Sequence, residues 1–124
     1  MAKQPASVLL VDDDPHTCAI FELLMQHYQL PFFIVDNGQA AVDYLRQQSP
    51  DVIVVDLFLP GADGFQTLDQ ICAIVDRQRC RILATTAYYT KDTRRQVIER
   101  GFDGYIPKPF VPDSFIAYLE GALS

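Results

Sequence analysis

The 124-residue chain lacks the basic surface that proteins use to bind nucleic acids. It carries 10 lysine and arginine residues against 16 aspartate and glutamate residues, so its net charge is −6. Small basic groups occur at 77–81 and 91–95, but acidic residues accompany both groups. We interpret these groups as solvated surface. The sequence therefore predicts no nucleic-acid partner.

The chain also lacks long hydrophobic runs and paired cysteines. Its first apolar stretch, at 8–11, is too short for a signal peptide or a membrane span and leads directly into three aspartates. Cys18, Cys72 and Cys80 are odd in number and contain no CxxC pair, which favours small buried hydrophobes in a reducing compartment. We expect a soluble, cytoplasmic protein with no membrane partner.

What the sequence does contain is an alternation of strand-like and helix-like segments. With 49% hydrophobic residues, residues 1–124 are predicted to form a single globular domain, in which residues 1–6 are frayed. The candidate strands, all short apolar runs, are 8–11, 32–35, 52–55, 82–84 and 105–106. The candidate helices with apolar residues at helical spacing are 21–28, 41–45, 68–75 and 115–122. A further candidate helix, 91–100, is mostly polar, with Val97 and Ile98 as its apolar residues and Gly101 as its stop. This alternation predicts an α/β fold: a doubly wound, five-stranded parallel sheet with helices on both faces, in the flavodoxin-like order 2-1-3-4-5.

Polar side chains follow four of the predicted strands at the point where each strand ends. Asp12 and Asp13 follow the first strand, Asp56 the third, threonines 85–86 the fourth and Lys108 the fifth. In a parallel sheet the carboxyl ends of the strands meet at one edge, and ligands bind there. These residues are therefore predicted to share one pocket.

Three carboxylates, a hydroxyl and an ammonium group suit phosphoryl transfer. The acids favour a hard cation such as Mg²⁺, with Mn²⁺ as a possible substitute. Lysine and threonine can bind the phosphate oxygens that the metal leaves free. A carboxylate can then act as the nucleophile and form an aspartyl phosphate.

The chain resembles the receiver domain of two-component response regulators, whose fold is that of CheY. The resemblance rests on four motifs in the family's order and spacing, and it covers essentially the whole chain. These motifs are at 8–15, 51–64, 86–87 and 104–110. The resemblance implies a signalling domain rather than an enzyme, apart from catalysis of its own phosphorylation and dephosphorylation.

Carried over by resemblance, Asp56 is the phosphoacceptor and receives its phosphoryl group from a histidine kinase or a histidine phosphotransfer protein. Asp13 would bind Mg²⁺ directly, and Asp12 would bind it largely through water. Asp56 and the backbone carbonyl of Phe58 would complete the metal ligands. Asp14, by contrast, is interpreted as a helix cap.

The resemblance also assigns residues to phosphoryl binding and switching. Thr86, the backbone of Ala87 and Lys108 would contact the phosphoryl group, while Tyr105 would be the aromatic switch residue. Lys108 and Pro109 would be joined by a cis peptide bond.

Thr85 competes with Thr86 for the phosphoryl-binding role. Strand alternation sends their side chains to opposite faces of the sheet, and Thr86 is the one that precedes the alanine of the motif. We therefore prefer Thr86.

Two aromatic residues flank the predicted site, Phe58 two positions after Asp56 and Tyr88 two positions after Thr86. In similar receivers these positions tune dephosphorylation, and neither ring carries a carboxylate or amide that could orient water. We expect shielding and a persistent phosphoryl group. The alternative is that both rings point outward as part of a partner surface.

Output is expected through protein contact. The resemblance places the switching surface on the fourth helix, fifth strand and fifth helix, near 91–100 and Tyr105. This face would bind a downstream protein or a second copy of the chain.

Three other functions fit the sequence less well than the receiver hypothesis. A haloacid-dehalogenase-like phosphohydrolase needs a second carboxylate where this chain has Phe58. An FMN-binding flavodoxin needs a Ser-, Thr- and Gly-rich phosphate loop where this chain has aspartates 12–14, which would repel phosphate. A pseudo-receiver, acting as an interaction module without phosphorylation, is disfavoured because all five site residues are present.

Overall fold

The computed structural model describes residues 6–59, 62–88 and 90–123, apart from the side chains of residues 62, 63 and 123. The predicted frayed terminus lies almost wholly at residues 1–5, outside the described residues. None of the helices in the described part of the chain combines the length and apolar character that crossing a bilayer requires.

The described residues form seven strands and five helices. The strands are β1 (Val8–Val11), β2 (Phe32–Val35), β3 (Val52–Asp56), β4 (Phe58–Leu59), β5 (Ala62–Asp63), β6 (Arg81–Thr86) and β7 (Gly104–Pro107). The helices are α1 (Pro15–His27), α2 (Gly38–Leu45), α3 (Gly64–Cys72), α4 (Lys91–Glu99) and α5 (Pro112–Leu123). Strands β4 and β5 pair with each other in a small antiparallel hairpin that the sequence analysis did not predict.

The main sheet is parallel and has the strand order β2-β1-β3-β6-β7. Since β6 and β7 are its fourth and fifth strands along the chain, the predicted order 2-1-3-4-5 is confirmed. The central strands β1, β3 and β6 are buried on both faces, as their nearly continuous apolar sequences require, whereas the edge strands β2 and β7 are partly exposed. Side chains facing α2, α3 and α4 include Leu9, Val11, Ile53, Val55 and Ile82. Side chains facing α1 and α5 include Val8, Leu10, Val52, Val54 and Leu83.

Side-chain caps fix where the helices on the site edge of the sheet begin. Asp14 caps α1, Asn37 caps α2 and Thr90 caps α4, each accepting a hydrogen bond from a backbone N–H of the first turn. The predicted capping role of Asp14 is confirmed. At the other end of α4, Gly101 has a φ of 109°, a conformation that glycine adopts without steric cost.

Gly64 lies where α3 starts, directly against the loop that follows β3. A Cβ atom at this position would lie 2.6 Å from the Cα of Leu57 and 2.8 Å from the carbonyl oxygen of Asp56. The backbone of Gly64 also donates a hydrogen bond of 2.9 Å to the Leu57 carbonyl. Glycine is needed here because the start of α3 and the end of β3 touch through their backbones.

The interpretation of the basic residues near 77 as solvated surface holds for the exposed Arg79 but is wrong for Arg77 and Arg81, which are partly buried. Arg77 donates from Nη1 to Cys72 Sγ at 3.0 Å, and from Nη2 to the Gly101 carbonyl at 2.7 Å and to Asp103 Oδ2 at 2.9 Å. Arg81 in turn donates to the Arg77 carbonyl at 3.0 Å. Arg77 therefore connects the end of α3 to the segment between α4 and β7.

Helix α4 is attached very differently at its two ends. Of the described residues of α4, Val97 is the one that is buried. At the carboxyl end, the Arg100 guanidinium lies 4.7 Å from the centre of the Phe65 ring and 4.0 Å from the Asp69 carboxylate, both on α3. At the amino end, the Thr90 hydroxyl contacts the backbone N–H and the hydroxyl of Thr93, at 3.2 and 3.1 Å, so these contacts stay within the first turn.

Candidate functional site

The predicted site residues converge at the carboxyl edge of the main sheet. Asp12 directly follows β1, Asp56 and Thr86 end β3 and β6, and Lys108 directly follows β7. Asp12, Asp56 and Thr86 are buried, whereas Asp13 is exposed. Strand pairing explains the convergence, because β1, β3, β6 and β7 are consecutive neighbours in the sheet.

Lys108 bridges the two buried carboxylates. Its Nζ lies 2.8 Å from Asp12 Oδ2 and 3.2 Å from Asp56 Oδ2, and its side chain is 11% exposed. Burial by itself lowers the pKa of Lys108, but its contacts with the two carboxylates outweigh burial, so this pKa is raised above its ordinary value. The ammonium is therefore charged at neutral pH.

The ionised form of Asp12 is less stable than that of an aspartate in water. Burial raises the pKa of Asp12, and the neighbouring Asp56 charge adds to the rise. Hydrogen bonding from Lys108 and from the Asp14 backbone opposes it without cancelling it. The pocket thus holds crowded negative charge that a further cation would stabilise.

Three side chains at or directly after a strand end are each oriented by a backbone N–H two residues later. Asp12 Oδ1 accepts a hydrogen bond from the N–H of Asp14 at 2.9 Å, and Asp56 Oδ1 accepts one from Phe58 at 2.9 Å. Thr86 Oγ1 accepts one from Tyr88 at 3.0 Å. These local turns hold one oxygen of each carboxylate and leave the other to the pocket. Sequence reasoning missed these donors, although an acidic or hydroxyl residue at a strand end is the signal for such turns.

The acids meet the requirements of a divalent-cation site. Asp12, Asp13 and Asp56 each offer one carboxylate oxygen, and these oxygens lie within 4.8 Å of one another. Asp12 Oδ2 lies 2.8 Å from Lys108 Nζ and has no other partner among the described residues. All-oxygen donors, among them a buried carboxylate oxygen whose one contact is an ammonium group, fit a hard cation such as Mg²⁺. The backbone carbonyl of Phe58 is the remaining predicted metal ligand. The Phe58 backbone lies beside Asp56, because its N–H donates a hydrogen bond to Asp56 Oδ1.

The two threonines face in opposite directions, as strand alternation predicts. Thr85 donates from Oγ1 to the carbonyl of Ile106 at 2.7 Å, away from the acids. Thr86 is 1% exposed and ends β6 beside the pocket. Ala87 follows in an exposed bend.

Phe58 and Tyr88 form an aromatic pair at the mouth of the site. Their ring centroids are 5.9 Å apart at an interplanar angle of 86°, which is an edge-to-face arrangement. Both rings are largely exposed, Phe58 by 61% and Tyr88 by 74%. The pair joins the loop after β3 to the loop after β6. This exposure agrees with the outward-facing alternative, and the shielding effect stays a prediction.

Tyr105 lies half-buried on β7, outside the acidic pocket. Its ring packs edge to face against Tyr118 of α5, with centroids 5.8 Å apart. Both tyrosines line a groove of about 520 Å³ between α4, β7 and α5, together with Val97 and the exposed Ile98. A cis peptide bond joins Lys108 to Pro109, as the resemblance implies.

Comparisons with known proteins agree on one family. A family model described as "Response regulator receiver domain" matches residues 8–120. A protein of Priestia megaterium named "Probable C4-dicarboxylate response regulator DctR" is 32% identical over 113 residues, which cover 89% of this chain and 48% of that protein. The sensor protein GacS of Pseudomonas syringae is 29% identical over 112 residues, covering 88% of this chain and 12% of GacS. This chain thus spans about half of one relative and about an eighth of the other.

Among solved structures, the receiver domain of the sensor histidine kinase PA1611 from Pseudomonas aeruginosa superimposes with a TM-score of 0.85 at 27% identity. The match covers 97% of this chain and 98% of that domain. A magnesium ion is coordinated in the active-site cleft of that domain.

Proposed function

Because the chain belongs to the response regulator receiver family, whose members are phosphoacceptors in signalling, we propose that Asp56 is the residue that accepts the phosphoryl group. The observation that carries this proposal is the contact of Lys108 with both Asp12 and Asp56, at 2.8 and 3.2 Å, beside three carboxylates that suit a divalent cation. Residues 1–124 act as one receiver domain, and the two apolar clusters on a single sheet support this.

Asp56 has the environment that a nucleophilic carboxylate requires. The N–H of Phe58 fixes one oxygen, and the second oxygen faces Lys108. When the donor phosphoryl group arrives, an Asp56 oxygen attacks phosphorus as the bond to the donor nitrogen breaks. Lys108 then neutralises charge on the transferring group. The Thr86 hydroxyl and the backbone of Ala87 supply hydrogen bonds to the remaining phosphoryl oxygens.

Asp12, Asp13, Asp56 and the carbonyl of Phe58 are the residues that would hold Mg²⁺ or Mn²⁺. The cation supplies charge neutralisation for the phosphoryl oxygens when it is bound. The raised pKa of Asp12 supports this assignment, because it reflects burial of a carboxylate beside the negative charge of Asp56.

The phosphoryl donor is a histidine kinase or a histidine phosphotransfer protein. The sequence similarity to a sensor protein and to a response regulator supports this partner class. The reaction takes place in the cytoplasm, which is consistent with Cys18, Cys72 and Cys80 being free thiols.

Phosphorylation is read out through the face formed by α4, β7 and α5. Tyr105 and its groove lie on this face, and α4 is attached to the protein through few buried side chains. A downstream protein or a second copy of the chain binds there. Thus the domain acts by changing contacts rather than by catalysing a reaction on a separate substrate.

The test is incubation with acetyl phosphate and Mg²⁺, followed by intact-mass measurement. The wild type should gain one phosphoryl group and the Asp56→Asn variant none. Asp36→Asn is the matched control, since Asp36 is an exposed aspartate at the end of β2 on the same edge of the sheet. An unmodified wild type, or an adduct that survives in Asp56→Asn, would contradict the assignment.

A further inference from the structure

Thr85 is a buried polar residue that the proposed mechanism does not use. It lies within β6 at 0% exposure, with its side chain on the sheet face opposite to that of Thr86. Burying a hydroxyl costs free energy unless it is hydrogen-bonded, and a valine of the same shape would avoid that cost. The hydroxyl therefore invites a functional explanation.

The contacts of Thr85 reach both strands that carry the reacting groups. Its carbonyl accepts a hydrogen bond of 3.0 Å from the N–H of Leu57, the residue after Asp56. Its hydroxyl donates a hydrogen bond of 2.7 Å to the carbonyl of Ile106, two residues before Lys108. In the strand register, Thr85 lies directly between Asp56 and Ile106.

Strand β7 needs such a contact because of its own sequence. Pro107 has no N–H and cannot donate to β6. The next backbone donor, the N–H of Lys108, reaches the Thr86 carbonyl at 3.3 Å, which is long for such a bond. The hydrogen bond from the Thr85 hydroxyl therefore holds β7 against β6 just before Lys108, where the regular backbone hydrogen bonds between these two strands are interrupted.

We propose that Thr85 is a positioning residue that holds the end of β7 so that the Lys108 ammonium stays between Asp12 and Asp56. This inference rests on the proposed function, since it concerns how accurately Lys108 meets the transferring phosphoryl group. Without the hydroxyl bond, the β7 end and the Lys108 stem are less constrained. Small displacements of a charged group that stabilises a transition state reduce the rate strongly.

The experiment compares Thr85→Val, which keeps the shape and loses the hydroxyl, with Thr85→Ser, which keeps the hydroxyl. Phosphorylation is followed by intact mass at saturating acetyl phosphate and Mg²⁺, and Mg²⁺ affinity is measured separately by calorimetry. Thr85→Val should be phosphorylated roughly three- to tenfold more slowly, the factor expected for one hydrogen bond. Its Mg²⁺ affinity should stay within about twofold of wild type, because the acids that hold the metal are untouched. Thr85→Ser should retain nearly the wild-type rate.

Ile82→Val is the control for general destabilisation, since Ile82 is a fully buried β6 residue on the other face of the sheet. It should leave the rate unchanged. Wild-type rates in Thr85→Val, equal losses in Thr85→Val and Thr85→Ser, or an equal loss in Ile82→Val would each overturn the positioning role. A wild type that accepts no phosphoryl group would instead contradict the proposed function itself, so the two failures are distinguishable.

Discussion

Replacing Lys108 by methionine removes the ammonium that lies between Asp12 and Asp56 while keeping most of the apolar stem. At an effective dielectric constant of about 20, charges separated by 2.8 and 3.2 Å attract each other by about 6 and about 5 kcal/mol. Desolvation of the three charges offsets much of this attraction. Removing one partner of a buried ion pair nevertheless costs about 3–5 kcal/mol, because the remaining charge is left without compensation.

The lower end of that range is expected here. Lys108 is 11% exposed and Asp56 7% exposed at the side chain, so water partly screens this pair, whereas Asp12 is fully buried. We therefore expect Lys108→Met to lower the free energy of unfolding by about 3 kcal/mol in the absence of divalent cations.

Mg²⁺ should reverse part of this loss. The ammonium and a divalent cation compete for the same carboxylates, so the variant should bind Mg²⁺ more tightly than wild type. Each tenfold gain in affinity restores about 1.4 kcal/mol of the deficit at saturating Mg²⁺. The difference in stability between variant and wild type should therefore shrink as Mg²⁺ is added.

The assay is urea denaturation followed by circular dichroism, with chelator and with saturating Mg²⁺. Lys91→Met, which removes an exposed lysine from α4, is the control and should match wild type in both conditions. A Lys108→Met protein as stable as wild type in chelator would refute the reasoning. So would a deficit that Mg²⁺ leaves unchanged.

Three further predictions follow from the same site and core. Asp13→Ala should weaken Mg²⁺ binding by roughly tenfold or more in calorimetric titration, and should raise metal-free stability slightly by relieving repulsion; unchanged affinity would contradict the ligand assignment. Burial raises the pKa of Cys80 to about 12 from 9.0, so the stability that its protonated thiol contributes is complete below pH 9 and is lost as the pH rises towards 12. In urea denaturation, the free energy of unfolding should fall by about 2 kcal/mol from this cause between about pH 8 and about pH 10.5. The Cys80→Val variant, which has no thiol, should lack this pH-dependent fall. After removal of the phosphodonor, Phe58→Asn and Tyr88→Glu should each lose phosphate faster than wild type, and the shielding idea is wrong if neither does.

The sequence predicted the sheet well because its strands are short apolar runs, of which the central ones are buried on both faces. The bounds of β1 and β2 match the predicted runs, since polar residues or turns interrupt the apolar pattern at both ends. Strand β6 extends beyond the predicted run to Thr86, because backbone pairing with neighbouring strands continues through polar side chains. The β4–β5 hairpin has two residues per strand, too few for any periodicity to reveal.

The membership of the site could be predicted, but its geometry could not. Strand ends of a parallel sheet gather at one edge, so Asp12, Asp56 and Lys108 were expected together. Their distances depend on the turns after each strand, which the alternating pattern does not encode. The contacts of Arg77 were missed for a related reason, since its partners Gly101 and Asp103 lie 24 and 26 residues away in the chain.

Helix α4 is held more firmly at its carboxyl end than at its amino end. Arg100 stacked on Phe65, and Arg77 bound to Gly101, fix that end to α3. The opposite end begins at Thr90, close in the chain to Thr86, and is free of comparable long-range side-chain contacts among the described residues. If phosphorylation shifts the loop after β6, we therefore expect the first turn of α4 to move more than its last turn. The groove beside Tyr105 would then change in width most at the end nearest the first turn of α4.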